Sequence, residues 1–294
     1  MKKALALAFL LMPTFVQSQD VEPIHPYLSN KYFASVGMFL PDQNTRLGLQ
    51  SSVEISLPNP DPTPYETIDF DETFGFSDSD ETFSAEIGWR FGKKWQLRGQ
   101  YFRVDNKSRV SLEEDVEWGD VVFNEGTFVG AGNDYQITRV FFGRTFRSTE
   151  RAELGFGRGG HVLDISAYIN GNATIAGVEV GYGQERASVS SPLPNFGAWY
   201  MHAFSENWAA TIRADWLSAS IDTYDGYIVN AAFNVGYAVT DHFGIGLAYN
   251  FFEINLKVDD PDWTGRIVSR FDGPYIALTG YWKTQHVCPG QHIA

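Results

Sequence analysis

Three sets of side chains in this sequence have types suited to chemistry, and each makes a geometric demand. His161, Asp164 and Ser166 are the residue types of acyl transfer, in which a hydroxyl needs a base and a group to orient that base. On a strand, Asp164 and Ser166 share a face and His161 points the other way, so the three suit a row along a wall better than a converging triad. His286, Cys288 and His292 offer metal ligands, but their spacing matches no common zinc pattern. The acidic runs Asp69, Asp71, Glu72, Asp78, Asp80, Glu81 and Asp259, Asp260, Asp262 offer oxygen ligands without the spacing of a calcium loop. No catalytic, cofactor or metal site is therefore expected, and the acidic runs read as a solvated surface holding divalent cations loosely.

A charged row is the most informative set. Glu86, Arg90 and Arg98 fall on the polar face of one predicted hairpin, and Arg213 and Asp215 on that of another. With Gly92–Lys94 as the turn, Glu86 lies diagonally across from Arg98. Enclosed charges must be paired, so Arg98 and Arg213 are expected to neutralise Glu86 and Asp215.

The elements that position these residues are strands. Tyr227, Val229, Ala231, Phe233, Val235, Tyr237 and Val239 alternate with Ile228, Asn230, Ala232, Asn234, Gly236 and Ala238. Phe243, Ile245, Leu247, Tyr249 and Phe251 alternate with Gly244, Gly246, Ala248 and Asn250. The same period of two runs through Phe83–Phe91, Trp95–Tyr101 and Trp208–Trp216. Aromatic residues bracket the apolar faces, as ring systems with one polar edge do at a membrane interface. Gly155-Phe156-Gly157-Arg158-Gly159-Gly160 reads as a β-bulge, because Leu154 and Phe156 lie on one parity and Leu163 and Ile165 on the other. A nucleotide loop would need a helix to follow, and none is indicated.

Connections alternate in length. Short links fall at Gly92–Lys94, Ser148–Glu150, Ser205–Asn207 and Thr240–His242, and long ones at Pro41–Asp80, Asp105–Asn133, Asn170–Pro194, Ile221–Gly226 and Val258–Arg266. Up-strands begin near Lys31, Trp95, Arg151, Trp208 and Phe243; down-strands end near Phe91, Phe146, Phe204, Val239 and Trp282. The expected fold is all-β: a closed antiparallel transmembrane β-barrel of about ten strands, with short periplasmic turns and long acidic extracellular loops. Twelve strands is the alternative if Thr45–Leu57 or Ala173–Val189 adds a pair, though both read as extensions of hairpins. A secreted soluble β-sandwich is the rival fold, since alternation alone does not say which face meets water.

The termini complete the layout. Lys2 and Lys3 precede an apolar stretch from Ala4 to Met12, and Val16 and Ser18 fit a cleavage site, so residues 1–18 read as a signal peptide too short to span a bilayer. Residues 19–30 form a short periplasmic segment, 31–282 the barrel and 283–294 a tail. Losing Lys2 and Lys3 takes the net charge from −14 to −16, which argues against nucleic-acid binding. Cys288 is the single cysteine, so no internal disulfide is expected.

From about Thr67 to Trp282 the chain resembles a largely uncharacterised family of proteobacterial outer-membrane β-barrel proteins. The stretches carrying this are Glu117-Trp118-Gly119-Asp120 with Gly126-Thr127, Glu153-Leu154-Gly155 through Asp164-Ile165-Ser166, Pro192-Leu193-Pro194-Asn195-Phe196-Gly197, Arg213 through Asp222, and Gly244-Ile245-Gly246-Leu247 followed by Tyr249. The resemblance implies fold and an outer-membrane location, and carries no catalytic site. One departure is that twelve residues follow the last strand, Tyr275–Trp282, where such barrels often end on an aromatic.

The expected function is non-enzymatic: a structural or surface-interacting barrel, or a narrow channel for small solutes. The alternative is an outer-membrane hydrolase acting on lipid or peptide. Expected partners are outer-membrane lipids, lipopolysaccharide and the barrel-assembly machinery.

Overall fold

The computed structural model describes residues 23–49, 66–76, 82–92, 94–118, 121–175, 177–221, 223–259 and 264–283. The stretch 1–18 expected to be a signal peptide and the His286, Cys288 and His292 set lie outside them, as do Asp78, Asp80, Glu81, Asp260 and Asp262. A short helix α1 (Pro26–Ser29) leads into β1 (Tyr32–Phe39) and β2 (Asp42–Leu49). These pair in line with one partner, so they are one rising strand interrupted at Leu40 and Pro41. Next come β3 (Glu66–Asp69), helix α2 (Phe70–Phe74), β4 (Thr82–Phe91), β5 (Trp95–Ser111), the small strands β6 (Val116–Trp118) and β7 (Val121–Phe123), and β8 (Phe128–Ser148). Then follow β9 (Ala152–Ile175), β10 (Val178–Ala203), β11 (Trp208–Ile221), β12 (Tyr224–Ala238), β13 (Phe243–Asp259) and β14 (Thr264–Trp282).

Ten strands pair in a ring: β1, β4, β5, β8, β9, β10, β11, β12, β13 and β14, with β14 returning to β1 through Tyr32↔Trp282. Every pairing is antiparallel. This is the expected barrel, with ten strands rather than twelve, and it replaces the sandwich reading. Within the long connections, Ala173–Val189 extends the β9–β10 hairpin as expected, so β9 and β10 rise as one tall hairpin, whereas Ile221–Gly226, expected as a loop, is largely strand among the described residues.

The Gly-rich run is also a correction. The β8–β9 and β9–β10 registers pass unbroken through residues 155–160; the irregularities fall at Thr145/Arg147 and Glu179/Gly181. Glu153, His161, Leu163, Ile165 and Ile169 all point inward on one parity, and Leu154, Phe156, Val162 and Asp164 all point outward. The strand keeps its face while its surroundings invert. Low in the barrel the outside is apolar and the inside charged; higher up the outside is polar and the inside apolar. A bilayer surrounding the lower part and water surrounding the upper part account for both halves. The glycines serve packing instead: a Cβ on Gly155 would lie 2.1 Å from Cζ2 of Trp199.

The upper interior is a hydrophobic core that includes Leu163, Ile165, Tyr135, Phe252, Ile254 and Phe271. Helix α2 closes it from above. Asp69 caps the helix by accepting from the amides of Asp71 and Glu72, and Gly75 ends it in the left-handed region at φ 57°. Phe70 and Phe74 are fully buried, with the Phe70 ring 6.3 Å from that of Trp118.

Helix α1 closes the other end. The Ile24 amide donates to the Glu150 carbonyl, His25 Nε2 lies 3.2 Å from the Asn207 carbonyl, and Asn30 Nδ2 donates to the Asp241 carbonyl at 3.4 Å. One short segment thereby ties three periplasmic turns together. Leu28 packs with Met201, Ala203 and Ala209, and the Tyr27 ring lies beneath Arg90 and Arg98, 5.6 Å from each guanidinium.

Candidate functional site: a charged layer inside the membrane barrel

Between α1 and the apolar core lies a layer of polar side chains, built because strands whose outer faces meet lipid turn their alternate residues inward. Its lower part centres on Glu153 of β9. That carboxylate accepts from Arg90 Nη1 at 2.5 Å and from the Trp199 indole at 2.7 Å. Arg98, 4% exposed, donates through Nε to Gln96 at 3.1 Å and reaches Glu86 at 3.7 Å, across the expected diagonal. It also lies over the rings of Phe33 and Trp199, at 5.5 and 5.7 Å.

The upper part centres on Asp215 of β11. Its partner is Arg139 of β8, at 2.6 Å from Nε to Oδ2 and 2.9 Å from Nη2 to Oδ1, with side chains 2% and 1% exposed. This corrects the expected pairing: neither Arg98 nor Arg213 neutralises Asp215. Arg213 instead donates to Gln100 at 2.8 Å. His161, fully buried, lies 3.2 Å from Asn230 through Nε2, while Nδ1 has no hydrogen-bond partner among the described residues.

Glu86, Arg90, Arg98, Arg213 and Asp215 thus all face the interior, but they form two clusters rather than one row. Sequence reasoning missed Arg139, Glu153, Trp199 and the inward face of His161. A signal existed at Arg139, a lone cation sharing parity with Tyr135, Ile137 and Phe141. It was masked because Val140 and Phe142 make the other face apolar too.

Above this layer a cavity of about 20 Å³ is lined by Phe39, Ser84, Gln100, Phe102, Asn230, Asn250 and Phe252. That is space for about one water molecule. His161 and Asp164 lie on opposite faces of β9, so with Ser166 they form no triad. Among the described residues no group of three His, Cys, Asp or Glu side chains is placed to hold a metal ion.

Two further features lie outside the layer. Asp71 accepts from the Thr45 amide at 2.6 Å, and burial, which outweighs that bond, pushes its carboxyl up to about 6, with Asp69 and Asp42 adding to the rise. Arg158 stands on the outer face of β9 between Phe142 of β8 and Phe196 of β10, with Phe156 below it and Val162 above. It has no ion pair or hydrogen bond among the described residues. A cation facing lipid at the middle of a barrel costs about 2–4 kcal/mol, and about 0–1 near the interface.

Ten strands, an apolar outer belt flanked by aromatic residues and a charged inner layer define a bacterial outer-membrane β-barrel. No family model matches the chain, and no curated protein sequence does. Its fold is similar to that of the outer-membrane protease OmpT of Escherichia coli, with a TM-score of 0.56 and 11% identity over 86% of this chain and 97% of that one. Weaker likenesses are to the toluene transporter TodX of P. putida (TM-score 0.35, 8% identity, 89% and 93% covered) and the attachment invasion locus protein Ail of Yersinia pestis (0.32, 12%, 86% and 97%). At these identities the likeness concerns fold alone.

Proposed function

We propose that this chain is a non-enzymatic, closed outer-membrane barrel that acts through its surfaces rather than as a conduit. The supporting observation is that α1, the charged layer and the apolar core under α2 lie in series along the axis. A ring of ten strands is already near the size that side chains alone fill. The hydrolase reading draws on the fold shared with a protease, which carries no activity with it. A surface role suits the extracellular part of the barrel, where the core stiffens the wall and the outer face is free to meet lipopolysaccharide, bridging cations or another cell-surface molecule. Planar-bilayer recording of refolded mature protein tests the closed state. No stepwise conductance is expected, and stable open-channel steps in the unmodified protein would exclude it.

A further inference from the structure

Arg158 is the strongest feature that the closed-barrel reading leaves unused. Every other outward residue of β9 from Leu154 to Val162 is apolar or glycine, and the first acid on that face is Asp164. The barrel wall separates Arg158 from the carboxylates of the inner layer. The membrane side is therefore where a neutralising partner is available.

The wall offers a route toward the outer leaflet. β9 rises from the periplasmic turn at Thr149–Arg151, so Gly160 stands one outward position above Arg158. A Cβ on Gly160 would meet only the Leu193 carbonyl oxygen, at 3.5 Å, which leaves that position open. On either side stand Val140 and Pro194, which make no ion pair. Val162, the last apolar outward residue, lies about 13 Å from Arg158 along the strand at about 3.3 Å per residue. Strand tilt of about 45° shortens the depth to about 9 Å. A flexible arginine can cover much of that distance by lying along apolar surface with its head toward the interface.

We infer that Arg158, rising through the open position at Gly160, binds the phosphate of an outer-leaflet lipid. A guanidinium matches a phosphate with two parallel hydrogen bonds, and the apolar side chains of Val140, Val162 and Pro194 would cover the arginine stem along that path. The inference rests on the membrane placement of the belt, not on whether the barrel conducts.

The test uses mature protein refolded in a neutral detergent, with phosphorylated lipid A, its dephosphorylated form and inorganic phosphate as probes read by native mass spectrometry. The unmodified protein is expected to retain the phosphorylated lipid over the dephosphorylated one, and millimolar inorganic phosphate should not displace it. Arg158→Gln should reduce that preference by about tenfold or more, the loss of the charged hydrogen bonds, and Arg158→Lys, which keeps the charge without the paired geometry, should keep only part of it. Gly160→Leu, which leaves the cation in place and fills the position above it, should weaken retention as well. Heat-modifiable migration on gels verifies that each variant folds. Equal preference in Arg158→Gln and unmodified protein would overturn the assignment, as would displacement by inorganic phosphate. If Arg158 instead cross-links to a carboxylate of another membrane protein in cells, the lipid assignment is also overturned.

Discussion

Arg139 and Asp215, 76 residues apart in sequence, meet inside the barrel in an ion pair, hydrogen-bonded from Nη2 to Oδ1, from which water is almost wholly excluded. They stand on β8 and β11, which are not neighbours in the ring, so the pair bridges the lumen rather than a ladder. The Arg139 guanidinium also lies 4.3 Å from the centre of the Phe141 ring.

Breaking that pair should be costly because it strands a buried charge. Asp215→Ala is expected to destabilise the barrel by about 3–5 kcal/mol, while Asp215→Leu combined with Arg139→Met should recover most of the loss. Urea unfolding in lipid vesicles, followed by tryptophan fluorescence, reads both. A double variant no more stable than Asp215→Ala would mean that the desolvated pair is not the source.

The series of seals predicts that no single periplasmic change opens the barrel. Tyr27→Ala removes the ring beneath Arg90 and Arg98 but leaves Arg139–Asp215 and the core around Phe252 in place. Bilayer recordings of Tyr27→Ala should remain closed. Steady conductance in this variant would place the barrier at α1 alone.

The inversion of β9 can be mapped with single cysteines after replacing Cys288 by serine. A cysteine at Phe156 should react with a membrane-confined reagent, and one at Asp164 with a charged aqueous reagent. A cysteine at Leu163 or Ile165 should react with neither. Aqueous labelling at 165 but not at 164 would reverse the assigned parity.

The cap should respond to pH through Asp71. Its carboxyl is raised from an ordinary 3.8 to about 6, first by burial, so the folded state holds the proton more tightly than the unfolded one. Its stabilising contribution is complete below about pH 4 and lost as pH rises through about 6. Protection of the Phe70–Phe74 amides, taken relative to their intrinsic exchange rates, should fall between pH 4 and 7, and Asp71→Asn should flatten that change. An unchanged profile in the variant would assign the effect to another group.

The periplasmic helix should respond with the opposite sign. Burial holds the His25 imidazole below its ordinary 6.5, against the pull of the Asn207 carbonyl. The docked segment therefore has its full stability above pH 6.5 and loses it as pH falls through the lowered value. Protease cleavage near residues 23–30 should increase on acidification, and His25→Gln should lessen the dependence. Equal acid sensitivity in both proteins would remove His25 as the cause.

Sequence alone determined the wall. Strand starts such as Trp95, Trp208 and Phe243, and ends such as Phe91 and Trp282, were legible because alternation and turn residues are local properties. The Glu86–Arg98 diagonal was legible for the same reason, since a short turn sets hairpin register. Tertiary structure alone decided which environment each face meets. Parity says that Leu163 opposes Val162, but not that one lies in a dry core and the other against lipid; that depends on height along a tilted strand. It also decided the Arg139–Asp215 pair, because its partners come from strands separated in the ring, where no turn fixes their relation. The ring brings together charges that no stretch of sequence places side by side, and exclusion of water then makes their pairing obligatory.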